Sequence, residues 1–225
     1  MGTMLTPRLP DEPCLIISDG SLGSLVLSAL VSESDRIRND GSKSLVYPAM
    51  WSVGRDHEDV LPSVDRATQD HAESYGLEIV SDRAGYPSGD EPGAMSTIEG
   101  AGLHETRLLL DACSIALARG IRRVVWGAQI HDGAGSFSRL DLIARALDRA
   151  TLSGRLATLD APGDGGVEVV VETPIADMSD EQLVELALDL SVAHATCWWG
   201  SVSHPIADEL ARRFEPLLKR EALGA

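Results

Sequence analysis

The chain is poor in cysteine. Cys14, Cys113 and Cys197 are its three thiols, they lie far apart, and no CxxC spacing occurs. That excludes a disulfide framework and a cysteine-rich zinc site, so zinc is not expected and a reducing, cytoplasmic setting is. Basic residues are also scarce: 19 Lys and Arg stand against 35 Asp and Glu, a formal net charge of −16. Such a surface repels a phosphate backbone, so no nucleic-acid partner is expected. No apolar run approaches the roughly 18 residues of a membrane span, and no membrane partner is expected either. Met1 to Pro13 holds no positive-then-apolar signal pattern. Aromatic residues make up 4%, and four of them are tryptophan. No internal repeat is present.

What remains is ordinary for a globular protein, with 44% hydrophobic and 24% charged residues. A length of 225 residues suits one domain with elaborations. Residues 1–13 carry three prolines and read as a tail, leaving 14–225 as a single α/β domain with a helical C-terminal extension over about 178–225.

Within that domain, Cys14-Leu15-Ile16-Ile17-Ser18 is a continuous apolar run, the pattern of a strand buried on both faces. A loop of mostly small residues, Asp19 to Ser24, leads into a helix at Leu25. Leu45 to Met50 reads as a second strand, although Pro48 argues against a central position. Val60, Val64, Ala67, His71 and Tyr75 mark one stripe of a helix that Gly76 ends, and Leu77 to Val80 is a third strand. Ser81 to Gly102, rich in Gly, Pro, Ser and Asp, reads as a long loop or lid.

A helix over Glu105 to Arg119, stopped by Gly120, precedes a fourth strand ending at Trp126. A helix over Ser138 to Thr151 runs through Leu142, Ile143, Ala146 and Leu147, and Val167 to Glu172 is a fifth strand. Ser179-Asp180-Glu181-Gln182 has the capping-box pattern of a helix start, and a last helix spans about Pro205 to Ala222. Strands alternating with helices predict a three-layer parallel sheet. Ligands of such sheets sit beyond the carboxyl ends of the strands, which points to loops 18–24, 51–57, 81–105 and 127–138.

Several of these segments, in order, resemble 7-cyano-7-deazaguanine synthase, the queuosine-pathway family of the PP-loop ATP pyrophosphatase superfamily. Its opening strand and Ser-Gly-Gly-x-Asp-Ser loop fall on Leu15 to Ser24 without a gap. Its Gly-Gln-Arg-His falls on Gly54-Arg55-Asp56-His57, and its Pro-Gly-Arg-Asn on Gly102-Leu103-His104-Glu105. Its strand-ending glycine, the loop after it and a helix-start Asp fall on Gly127, Asp132, Gly135 and Asp141. Glu172-Thr173-Pro174 matches a further motif, and Thr196-Cys197-Trp198-Trp199-Gly200 matches the family's Thr-Cys-Tyr-x-Gly. The resemblance spans roughly residues 14–200 and implies a PP-loop fold. It also implies an ATP and Mg²⁺ site at Ser18, Asp19, Gly20, Ser21, Gly23 and Ser24. Around it would lie a small-molecule site lined by His57, His104, Glu105, Trp126, Asp132 and Gly135, with a homodimer as the assembly.

The departures decide what is expected of the chemistry. The family loop's first Ser is Asp19, its second Gly is Ser21 and its Asp is Gly23. A carboxylate 4 Å from a phosphate charge costs about 4 kcal/mol at an effective dielectric near 20, against about 0.3–1 kcal/mol returned by a helix N-terminus. The family's Lys falls on Asp180, its Arg on His104 and its Asn on Glu105, and of its four zinc cysteines Cys197 alone has a counterpart.

The expectation is a diverged synthase-like protein that binds a small nucleotide-like or purine-like ligand at the strand ends without the zinc- and ATP-dependent nitrile-forming ligase activity. Whether it is an enzyme at all is left open. Two alternatives stand beside it. One is a non-catalytic PP-loop protein acting through dimerisation or partner binding. The other is a metal-dependent enzyme using the acidic and histidine residues Asp19, His104-Glu105 and His131-Asp132. Each candidate also has a plainer reading. Asp19 or Ser21 caps a helix, Glu105 answers a helix dipole, His57 is a loop histidine, and the tryptophans pack.

Overall fold

The computed structural model describes residues 7, 9, 11–38, 41–49, 58–80, 98–130, 138–161 and 168–224, with backbone alone at 58 and over 98–103 and 221–224. Its strands are β1 (Cys14–Ser18), β2 (Leu45–Pro48), β3 (Glu78–Ile79), β4 (Arg123–Trp126) and β5 (Val170–Glu172). Its helices are α1 (Leu22–Arg38), α2 (Leu61–Tyr75), α3 (Ile98–Ala118), α4 (Arg139–Asp160), α5 (Asp180–Asp189) and α6 (Pro205–Gly224), with short 3₁₀ turns at Glu58–Val60, His194–Thr196 and Trp198–Gly200.

All pairings are parallel and the strand order is β3-β2-β1-β4-β5. Cys14 to Ile17 are buried throughout, as a central strand with two covered faces requires. Alternate residues divide the core. Ile16, Val46 and Val125 face a cluster built from α1, α2, α5 and α6. Leu15, Ile17, Tyr47, Val124 and Trp126 face α3 and α4. The architecture is the three-layer parallel α/β fold that the alternation predicts.

Several expectations are corrected. β2 is an internal strand despite Pro48, because Pro48 is its last residue and the next ladder bond comes from the Ala49 N–H to the Ser18 carbonyl at 2.7 Å. α3 begins at Ile98, so residues 98–102 are helical rather than part of a long loop; propagating a formed helix needs far less than starting one, and Gly100 and Gly102 are carried by it. Residues 81–97 lie outside the described residues. α4 runs on to Asp160, well past Thr151.

α4 also turns a different face to the sheet. Its buried residues are Ala146, Ala150, Ser153, Gly154 and Ala157, and a Cβ on Gly154 would stand 2.6 Å from the Val169 carbonyl oxygen. The helix sits so close to β5 that only small side chains fit beneath it. Leu147, expected on the apolar inner side, is therefore exposed. The helix starts that the sequence marks are well made: Ser138 with Asp141 and Ser179 with Gln182 each form a reciprocal capping box. No helix among the described residues is long and apolar enough to cross a membrane.

Candidate functional site

The strand order reverses between β1 and β4. The crevice beyond their carboxyl ends is where an open parallel sheet places a ligand. Loop 19–24 leaves β1 at that point, and Gly127 leaves β4.

The loop turns on Gly20, whose φ of +69° lies in the left-handed region. A Cβ there would also meet Ala67 Cβ at 2.9 Å and the Val64 carbonyl at 3.1 Å, so α2 lies directly on the loop. The Trp198 N–H donates to the Gly20 carbonyl at 3.3 Å, and Ser18 Oγ lies 3.4 Å from Thr68 Oγ1. On the other side, a Cβ on Gly23 would meet Ile175 Cδ1 at 2.8 Å and the Gly127 carbonyl at 3.2 Å. Ser18, Asp19, Gly20, Gly23 and Ser24 are buried, and Ser21 is half-buried.

The polar groups of the loop are spent on one another. Asp19 Oδ1 accepts from the Ser21 N–H at 3.1 Å and from Ser24 Oγ at 2.7 Å. The Asp19 N–H donates to Ser24 Oγ at 3.2 Å, and the Gly20 N–H to Ser18 Oγ at 3.3 Å. Ser21 Oγ accepts from the Ser24 N–H at 3.4 Å, which caps α1. A carboxylate thus occupies the turn whose amides and hydroxyls a pyrophosphate would need. Asp19 Oδ2 is buried without a hydrogen-bond partner among the described residues. The residues present do not fit a triphosphate at this loop.

Around the loop lies a ring of buried polar side chains that the sequence pattern did not assemble. His71 of α2 is fully buried with neither ring nitrogen bonded, and Trp198 Nε1 is likewise unbonded. Burial holds the His71 pKa down to about 4, opposed by the Thr196 backbone, which favours protonation. Cys197 is a buried free thiol, pushed well up by burial and then by the Asp19 charge. The one sequence signal for this ring was a histidine inside the apolar stripe of α2. Ile175, Cys197 and Trp198 come from far along the chain, and no local pattern ties them to residue 20.

The remaining candidates lie elsewhere. Trp126 is buried on the α3 and α4 face of the sheet, in the core rather than along an open edge. Glu105 is not at a helix start: it follows Ile98 by about two turns, too far inside α3 for the helix dipole to account for it. It pairs instead with Arg149 of α4, while burial raises its pKa and the Arg149 charge opposes that rise. His104 is half-buried beside it. His57, His131, Asp132 and Gly135, together with Gly54 to Asp56, lie outside the described residues. Among the described residues, no group of three or more His, Cys, Asp or Glu side chains could hold a metal ion.

Asp180, at the position matched to the family's lysine, carries a salt bridge to Arg213 of α6. Gln129 joins them, donating to Asp180 Oδ1 at 3.1 Å and accepting from Arg213 Nη2 at 3.0 Å. A guanidinium therefore reaches the segment after β4 from α6, already matched by a carboxylate. Nothing in the sequence of α6 singled out Arg213.

No family model matches the chain, and no curated protein matches it. Among solved structures, it is similar to the U34-tRNA thiolase NcsA from Methanococcus maripaludis with its 4Fe-4S cluster. Identity is 17%, the TM-score is 0.47, and the match covers 93% of this chain and 66% of that one. The chain thus spans just under two thirds of the thiolase.

Proposed function

We propose that the chain is a diverged PP-loop protein of the 7-cyano-7-deazaguanine synthase kind that has lost the triphosphate grip, and with it the adenylating ligase step. On this reading it binds a nucleoside-like or purine-like ligand beyond the carboxyl ends of β1 and β4, and ATP with Mg²⁺ is not its cofactor. The observation that carries the reading is the Asp19 carboxylate accepting from the Ser21 N–H and Ser24 Oγ inside a buried turn. Those are donors a phosphate would have to win back against a negative charge. The Gly20 and Gly23 contacts leave no slack for the loop to move aside.

Calorimetric titration tests it. Guanosine and adenosine are expected to bind at least tenfold more tightly than the corresponding triphosphates, with or without Mg²⁺. ATP binding more tightly than adenosine would overturn the reading. In Asp19→Ser the triphosphate penalty is expected to shrink by about tenfold or more. An unchanged penalty would show that Asp19 is not its cause.

A second reading, a non-catalytic protein acting through association, is favoured by a separate observation: the large apolar side chains that α4 turns to solvent.

A further inference from the structure

The amino-terminal edge of the sheet, at the far end of the strands from loop 19–24, holds a cavity of about 470 Å³. It runs across the starts of four strands, from Glu78 of β3 past Leu45 of β2 and Pro13 before β1 to Arg122 before β4. Lys43, Arg119 and Arg122 line it together. Its volume lies within the range of small-molecule sites.

The chain's own patterns bring these cations to one place. Leu45, Tyr47, Val124 and Trp126 lie on the α3 and α4 side of the sheet. Strand alternation puts Lys43 and Arg122, each two residues upstream, on that same side. On α3, the buried row through Ala112 and Ala116 continues to Arg119. Three rows that are apolar over the sheet thus end in a cation at its edge.

The backbone beneath them is held. Gly120 takes a φ of +70°, its N–H donates to the Leu117 carbonyl at 3.0 Å, and the Ile121 N–H donates to the Ala116 carbonyl at 2.9 Å. That pair of bonds is a Schellman turn, and it fixes the chain on either side of Arg119 and Arg122. Beside Lys43, the buried Ser44 donates to Asp35 from its N–H at 2.7 Å and from its Oγ at 2.8 Å.

The charges do not cancel. Two carboxylates also line the cavity, but Glu12 accepts from Arg123 Nε at 2.8 Å, which leaves Glu78 at the β3 end. Lys43 and Arg122 are exposed and have no carboxylate partner among the described residues. Neither lies in the last turn of a helix, so a helix dipole accounts at most for Arg119. A chain of net charge −16 repels an anion from most of its surface and holds one only where cations locally outnumber carboxylates. Beside these cations, half-buried Leu45 and buried Ile121 supply an apolar floor.

We propose that this cavity binds a small organic anion, its phosphate or carboxylate head among Lys43, Arg119 and Arg122 and its apolar body over Leu45 and Ile121. The site is independent of the reading of loop 19–24.

Calorimetric titration of the full chain at low salt tests it with phenyl phosphate, benzoate and inorganic phosphate. Phenyl phosphate or benzoate is expected to bind at least about tenfold more tightly than inorganic phosphate, because the ring covers the apolar floor. The tighter of the two identifies the head group as phosphate or carboxylate. Lys43→Glu with Arg122→Glu is expected to weaken binding by at least about thirtyfold, with the circular-dichroism spectrum unchanged because both side chains are exposed. Glu78→Gln is expected to tighten it about threefold. In amide nuclear magnetic resonance spectra, the bound organic anion is expected to shift Ser44, Gly120 and Ile121 and to leave Gly20 and Ser21 in place. Three results would each overturn the proposal: no binding of either organic anion up to about 10 mM, a weak limit for any specific site; binding indifferent to the double charge reversal; or shifts at Gly20 and Ser21 instead.

Discussion

α1 and α4 both run along the sheet, and both press a glycine against backbone, yet they end in opposite situations. The first turns of α1, from Leu22 to Val31, are buried all round, because α2 and α5 close over the helix and the sheet lies beneath it. α4 has the sheet and α3 on one side and open surface on the other. One side of the sheet is thus sealed by two tiers of helix and the other by one. The sealed side spends its polar groups internally, Asp19 on Ser21 and Ser24, and leaves His71 neutral among apolar neighbours. The thin side carries a surplus of leucine. The difference teaches that two tiers of helix let polar groups pair internally, whereas a single tier leaves apolar side chains at the surface.

A large effect should come from breaking the close approach that sets α4 apart. Gly154→Val places a branched side chain where a Cβ alone would stand 2.6 Å from the Val169 carbonyl. Backbone cannot yield as a flexible side chain can, so the helix must lift from β5. A loss of about 3 kcal/mol is expected in denaturant unfolding, at the upper end of overpacking costs. A loss below about 1 kcal/mol would mean that α4 is not held at this distance.

The sealed side is tested by acid. His71 has its pKa held down to about 4 from an ordinary value of 6.5, so the folded state prefers the neutral ring while the unfolded chain takes up a proton at its usual value. The stability that depends on the neutral ring is complete above pH 6.5 and is lost as pH falls through 4. The full loss is about 3 kcal/mol. His71→Leu should flatten this stretch of the stability profile, with other acid-sensitive groups left in place. A slope unchanged in the variant would show that His71 is not the group that titrates.

The same contrast explains what could be read in advance. The five strands were legible because a central parallel strand needs a continuous apolar run, and β1 and β4 have one. The start of α5 was legible because Ser179 and Gln182 form a local box. The outer face of α4 was not. Leu147 and Ala146 are adjacent in sequence, and periodicity shows that a helix has faces without showing which one meets a sheet that admits only small residues. Asp19 was legible as a carboxylate in a loop that matches a phosphate-binding motif, but its turn back onto Ser21 and Ser24 depends on α2 and Ile175 closing over the loop from distant segments. Long-range packing of this kind leaves no local mark except, for His71, a polar residue inside an apolar stripe.

The smallest effect separates the two helices most clearly. Leu147→Ser on α4 removes an exposed side chain, whereas Leu27→Ser on α1 removes one that is fully buried in the core. The α4 change should alter unfolding stability by no more than about 0.5 kcal/mol. The α1 change should cost several kcal/mol, because it leaves both a cavity and a buried hydroxyl. A large Leu147→Ser cost would place Leu147 in the chain's own core, and the thin side of the sheet would then be as sealed as the other.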